Sequence, residues 1–259
     1  MKILKDLMMP NLWLTCYKPN PSADLRVICY PYAGGSASVF HSWLKWLPDW
    51  VELYAVQPPG RAERISEPTL DNMNQYVDGL KTELYPLTDK PYVLFGHSMG
   101  ALAAFESLVD LSINHCRLPE KCVFSAAHAP DRKNRMKPIS ALPDTQFIDE
   151  LKALNGTPQQ VFETPGLLEF CMKYIRADFS LVEQFVTEFK GKIEVDITLL
   201  YGSEDKINVE DIQEWQTFFT YPNKSEVMRG DHFFIHSEDN VKKVMRLLFE
   251  NIHRTSMTV

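Results

Sequence analysis

Residues 93–106 read Val-Leu-Phe-Gly-His-Ser-Met-Gly-Ala-Leu-Ala-Ala-Phe-Glu. An apolar run stops at His97, and a run of small apolar residues starts just past Ser98. That order predicts a strand that becomes a helix across one residue. So sharp a turn forces strained backbone angles on Ser98. Gly96 and Gly100 then remove side chains that would clash with the neighbouring strand and helix. The expected product is an elbow that holds a serine hydroxyl above a sheet, with the free N–H groups of a helix N-terminus beneath it. The five-residue pattern Gly-x-Ser-x-Gly is weak by itself. Its place between an apolar strand and a small-residue helix makes it specific.

Other β-rich runs lie at 12–18, 25–31, 51–57, 92–97, 121–127, 196–202 and 225–230. The central runs are apolar nearly throughout, as strands buried on both faces of a parallel sheet are. The first two flank Pro-Asn-Pro-Ser-Ala-Asp, a turn signal that predicts a hairpin at the start of the sheet. Helical spacing fills the gaps. Val39, Phe40, Trp43 and Leu47 mark residues 36–47, and Leu70, Met73, Tyr76, Val77, Leu80 and Leu84 mark residues 69–84. Residues 99–111 are small and apolar, and Val241, Val244, Leu248 and Ile252 mark residues 237–252. Alternating strands and helices predict an α/β fold with a mostly parallel central sheet of about seven strands. The length suits a single domain over residues 1–259.

One gap, residues 131–192, is far longer than an ordinary connection. Phe147, Leu151 and Leu154 fall on one stripe, and residues 165–175 are rich in apolar side chains. Leu181, Phe185 and Phe189 follow at i, i+4 and i+8, with Asp178 placed as an N-cap. These patterns predict a helical insertion, a lid over the strand ends; the competing reading is helices that simply extend the core. The aromatic residues Phe162, Phe170, Tyr174, Phe179 and Phe185 read as core rather than as pocket lining.

The charge balance, 27 Lys and Arg against 34 Asp and Glu, gives a net charge of −7 and a pI near 5.5. An acidic chain argues against nucleic acid and anionic membranes as main partners. No apolar run is long enough to span a bilayer. Cys16, Cys29, Cys116, Cys122 and Cys171 are odd in number and lack C-x-x-C spacing, which suits free thiols in a cytoplasm.

A nucleophilic serine needs a base, and the base needs an orienting acid. In α/β-hydrolases the chain order is serine, acid, histidine. Residues 199–206, Leu-Leu-Tyr-Gly-Ser-Glu-Asp-Lys, end a strand and offer Glu204 or Asp205. Asp205 is preferred, being the shorter side chain at the loop position; Asp131, after another strand, is its rival. Residues 228–236 offer His232 or His236, and His232 is preferred because it lies in the turn straight after the last strand. His97 is expected to pack beside the elbow. The oxyanion hole is expected from the N–H of Met99 and of Ala33, in the loop Pro-Tyr-Ala-Gly-Gly-Ser-Ala-Ser, with Tyr32 or Gly34 as alternatives. No metal site is expected.

These motifs resemble those of the type II thioesterases, stand-alone α/β-hydrolases that accompany nonribosomal peptide and polyketide synthases. The likeness runs from about Leu25 to Phe249. It covers residues 30–43, with the oxyanion loop, and residues 57–68, with Arg61 and Arg64. It also covers the elbow, an Arg-Ala-Asp motif at Arg176 and Asp178, and the segments bearing the acid and the base. Asp231 departs from it, because such enzymes often carry glycine just before the histidine. The resemblance implies hydrolysis of acyl or aminoacyl thioesters from the phosphopantetheine arm of carrier proteins, in the housekeeping of a synthase. It implies no cofactor of the enzyme's own, since the arm comes with the substrate, and a monomer is expected. The carrier partner is also acidic, so a local basic patch is needed; Arg132, Lys133, Arg135 and Lys137 are the candidates. Arg61 and Arg64 read as the ends of a surface turn, and Arg176 and Asp178 as a local ion pair.

Overall fold

The computed structural model describes residues 12–130 and 138–252. Seven strands form one sheet among these residues: β1 (Leu14–Cys16), β2 (Leu25–Tyr30), β3 (Val51–Val56), β4 (Tyr92–His97), β5 (Lys121–Ser125), β6 (Asp196–Gly202) and β7 (Lys224–Met228). Their spatial order is β1-β3-β2-β4-β5-β6-β7. Every neighbouring pair is parallel except β1 with β3.

The expected hairpin between the first two strands does not form. β1 pairs with β3, Leu14 opposite Val56, and the Gln57 amide extends the ladder to the Trp13 carbonyl at 2.8 Å. Strand β2 has both edges filled, by β3 and β4, so a turn-linked neighbour has no place beside it.

Period-two alternation places the core. Along β2, Val27 and Cys29 face one side and Ile28 and Tyr30 the other, and all four are buried. On the first side the sheet packs against the segment Ala37–Trp46, wound as a 3-10 helix, and against the helix Glu238–Phe249. On the second side lie α1 (Met73–Leu84) and α2 (Met99–Ile113). Helix α1 starts later than its apolar spacing suggests. The Asn72 side chain caps it by accepting from the Asn74 and Gln75 amides, which leaves Leu70 outside.

Between β5 and β6 lie α3 (Asp144–Leu154), α4 (Gln159–Glu163) and α5 (Leu167–Gln184). Ile139, Phe147, Leu151, Cys171, Met172 and Ile175 bury one another there in a cluster separate from both sheet faces. Each large apolar side chain so buried is worth about 1.5–3 kcal/mol relative to exposure. The insertion therefore has its own small core and touches the sheet layer through residues such as Leu181.

Helix α5 runs unbroken through residue 178, so Asp178 is not an N-cap. It sits in the middle of the helix, buried, with its carboxylate bonded to groups far away in sequence. The helix ends at Gln184, which leaves Phe185 and Phe189 beyond it. Among the described residues no helix is long and apolar enough to cross a membrane. All five cysteines are free thiols, with Cys29, Cys122 and Cys171 buried.

Candidate active site

Ser98 sits between β4 and α2 with φ 55° and ψ −119°, a conformation an L-residue rarely adopts. Its neighbours explain how the strain is accommodated. A Cβ on Gly96 would lie 2.2 Å from the Gly100 carbonyl oxygen, and one on Gly100 would lie 2.1 Å from that of Tyr30 on β2. Both glycines let backbone approach backbone. The Ser98 amide donates to the Ser125 carbonyl at 2.7 Å, which docks the elbow onto β5.

The structure brings the chosen base and acid to this serine. His232 Nε2 lies 3.0 Å from Ser98 Oγ, and His232 Nδ1 lies 2.8 Å from Asp205 Oδ2. A carboxylate can only accept, so Nδ1 carries the proton and Nε2 is free to accept one from Ser98. Asp205 has a side chain only 4% exposed. Burial pushes its carboxyl up, but the His232 ring and the backbone amides at 206 and 207 outweigh burial, and the net shift is down. It stays ionised under an imidazole. Glu204, its neighbour, is exposed. His236 Nε2 lies 3.0 Å from the Tyr32 hydroxyl, apart from the serine. Asp131, the rival acid, lies outside the described residues.

His97 does more than pack. Its ring is fully buried, bonded through Nε2 to the His232 carbonyl at 2.9 Å and through Nδ1 to the Ser125 hydroxyl at 2.8 Å. It ties the backbone of the base to the elbow. The signal for this was its position next to the nucleophile; the partner, 135 residues away, was not readable.

For the oxyanion hole, Met99 is the first residue of α2, where an N–H has no intrahelical carbonyl to meet. In the other loop, the Gly34 amide donates to Asp178 Oδ2 at 2.7 Å and is therefore committed elsewhere. Tyr32 and Ala33 line a cavity of about 70 Å³ together with Ser98, His232 and, from the insertion, Ile139, Leu154 and Phe179. A second cavity, about 50 Å³, also borders Ser98 and is lined by Met99, Leu102, Val182 and Phe185. Phe179 and Phe185 pack against the insertion's cluster and the main core respectively, and each also lines a pocket beside the serine. Phe162 and Tyr174 also pack in the insertion's own cluster, and Phe170 is exposed.

The arginines also differ from expectation. Arg61 and Arg64 are 3% and 5% exposed and are no surface turn. Arg64 stacks on the Trp13 ring, binds Glu67 and donates to the Gln57 carbonyl. Arg61 pairs with Asp178, with the NH2 to Oδ1 contact at 2.6 Å. Arg176 does not pair with Asp178, because residues two apart on a helix point to different sides. It binds Asp144 at 2.7 Å and lies over the Phe147 ring, holding α5 to the start of α3. Asp231 accepts from the Phe233 amide and from Asn155 at the end of α3, so the insertion also touches the turn that carries the base. Arg132, Lys133, Arg135 and Lys137 lie outside the described residues.

Known proteins share this arrangement of elements. The gramicidin S biosynthesis protein GrsT of Aneurinibacillus migulanus is 34% identical, over 87% of this chain and 89% of its own. The linear gramicidin dehydrogenase LgrE of Brevibacillus parabrevis is 32% identical, over 90% of each chain. The solved structure of YbtT, a type II thioesterase from the yersiniabactin NRPS/PKS biosynthetic pathway, superposes with a TM-score of 0.81 at 26% identity, covering 92% of this chain and 96% of its own. The model of one family, the thioesterase domain, matches residues 25–252, nearly all of the described fold, and the chain belongs to that family.

Proposed function

We propose that Ser98, His232 and Asp205 act as a proton-relaying triad that hydrolyses acyl or aminoacyl thioesters on the phosphopantetheine arm of carrier proteins, clearing stalled groups from a nonribosomal peptide or polyketide synthase. The observation that carries the reading is the unbroken path from Ser98 Oγ through His232 to a buried Asp205, at 3.0 and 2.8 Å. The family supplies the thioester. YbtT, from an NRPS/PKS pathway, and GrsT, from gramicidin S biosynthesis, support the synthase context.

The chemistry follows from the geometry. Ser98 Oγ attacks the thioester carbonyl while its proton passes to His232 Nε2. The imidazolium is stabilised by Asp205, and the oxyanion sits against the amides of Met99 and Ala33. The C–S bond then breaks, and His232 returns the proton to the departing thiolate. Water repeats the attack on the acyl-serine: its proton goes to His232, the ester bond breaks, Ser98 regains a proton, and a free acid leaves. The holo-carrier, with its thiol restored, can be loaded again. The arm belongs to the substrate, so the enzyme needs no cofactor of its own for these steps.

A simple carboxylesterase would use the same triad. The family match favours the thioester, and the word dehydrogenase in the name of LgrE finds no Gly-x-Gly-x-x-Gly fingerprint in this sequence. Carrier proteins loaded with acetyl, aminoacyl and longer groups, followed by intact mass, test the proposal. Wild type should unload them and Ser98→Ala should not; equal hydrolysis by both, or hydrolysis of plain esters with no unloading, would refute it.

A further inference from the structure

The loop that offers the Ala33 amide is a tight turn. The Gly35 amide donates to the Tyr32 carbonyl at 2.8 Å, and Gly34 has φ +80°, as in a type II turn. Such a turn needs no outside help to close. Here it nevertheless receives help from two distant places. Asp178, on α5, accepts from the Gly34 amide at 2.7 Å. Arg61, from the loop after β3, donates to the Gly35 carbonyl at 3.1 Å. The two side chains then bind each other in a buried pair, with side-chain exposures of 4% and 3%. One helical turn back from Asp178, Ile175 packs on the loop, 3.3 Å from where a Gly34 Cβ would be.

A buried ion pair is poor value as a source of stability, because desolvating two charges costs about as much as their attraction returns; apolar replacements of like size are often neutral. What this pair adds is direction. It grips the N–H of Gly34 and the C=O of Gly35, the peptide groups that follow Ala33. We propose that Asp178 and Arg61 are positioning residues for the Ala33 oxyanion amide, and that the hole is set only while α5 is seated on the loop. The inference rests on the triad reading above. It adds that the insertion is part of the catalytic apparatus: lifting α5 would withdraw Asp178, strand the Arg61 charge and release the turn.

Two variants test this, each in the full chain. Arg61→Met/Asp178→Leu removes both charges and keeps the packing volume, so folding is expected to survive. Asp178→Asn keeps an acceptor for the Gly34 amide and weakens the grip on Arg61. Active sites are counted by fluorophosphonate labelling taken to its end point, and kcat per labelled site is measured with a small acetyl thioester. An arylboronic acid, which forms a tetrahedral anion on Ser98, reads the hole directly. Loss of one oxyanion donor typically costs about 10²–10³ in kcat. A misplaced donor should cost about 10- to 100-fold in the double variant, with KM nearly unchanged and boronate affinity falling by a similar factor. Asp178→Asn should fall between wild type and the double variant. A double variant with kcat per site within about twofold of wild type, or a loss carried by KM alone, would overturn the inference. Failure of the wild type to label or to cleave the thioester would overturn the triad reading instead.

Discussion

His97 Nε2 donates to the backbone carbonyl of His232 at 2.9 Å. A carbonyl only accepts, so Nε2 carries the proton of the neutral ring and Nδ1 accepts from the Ser125 hydroxyl. The residue before the nucleophile thus fixes the backbone of the base. His97→Phe keeps much of the ring volume but leaves that carbonyl and that hydroxyl unpaired. Stranding two buried polar groups, at about 1–3 kcal/mol each, should lower the unfolding free energy in urea by about 2–6 kcal/mol. Freeing the base should also lower kcat, by about tenfold, through lost alignment. Unchanged stability and turnover in that variant would show that the bonds carry no weight.

Glu204 and Asp205 are neighbours, yet only Asp205 reaches the imidazole. Asp205→Asn keeps the shape and loses the charge that holds the ring's tautomer and stabilises the imidazolium. Loss of the triad acid's charge costs about 10⁴ in kcat in the best-studied case, and a drop of that order is expected here. Glu204→Gln should turn over thioester like wild type. Steady-state kinetics on the two variants, side by side, decide the acid; equal losses would contradict the assignment.

What was legible in the sequence was what depends on near neighbours. The elbow is local: a strand, two glycines four apart and a small-residue helix specify it whatever lies elsewhere. The turn bearing His232 follows its strand directly and could be found in the same way. Most of the errors concern partners distant along the chain. Asp178 has the local look of an N-cap, and only Arg61, 117 residues away, explains why it sits buried in mid-helix. Pro-Asn-Pro signals a reversal after β1, but which strand β1 then meets is set by both edges of β2 being filled. Phe185 looks like any apolar helix residue until the helix is seen to stop at Gln184, which leaves it free to line the pocket.

The glycines allow a paired test of the elbow. A Cβ on Gly100 would stand 2.1 Å from a backbone oxygen and 2.6 Å from the Tyr30 carbonyl carbon, with no flexible side chain to give way. Gly166 has φ +76° but nothing within 4 Å. Gly166→Ala should therefore cost only the backbone term, about 1–2 kcal/mol. Gly100→Ala must push α2 off β2 and should cost clearly more, or prevent folding. Thermal melts of the two proteins give the comparison, and an equal shift would mean that the close approach is not rigid.

The basic run at Arg132, Lys133, Arg135 and Lys137 suits an acidic partner in a chain whose own net charge is −7. Reversing Arg132 and Lys133 to Glu should raise KM for an acyl-carrier protein and leave a small thioester unaffected, and the gap should narrow as salt screens the charges. Equal KM changes for both substrates would remove the patch from carrier binding.

Stability should depend on pH through the same buried groups. Burial, reinforced by the charge of His232, holds His97 well below the ordinary histidine pKa. Burial shifts His236 the same way, with Asp231 opposing. A histidine depressed in the fold takes up its proton in the unfolded chain at a pH where the native protein still refuses it. The unfolded state then binds more protons, so stability rises with pH. The contribution is complete above about 6.5, the unfolded value, and is lost as pH falls below it, by up to about 1.4 kcal/mol per pH unit for each fully depressed ring. Asp205 has the same sign at lower pH. Its folded pKa is depressed, so its contribution is present above about 3.9 and fades as pH drops through that range. Urea titrations at pH values from about 7.5 to 5 should show falling stability, and His97→Phe, with one titrating ring fewer, should show a shallower fall. A profile as steep in His97→Phe as in wild type would mean that this ring is not the group that couples folding to protons.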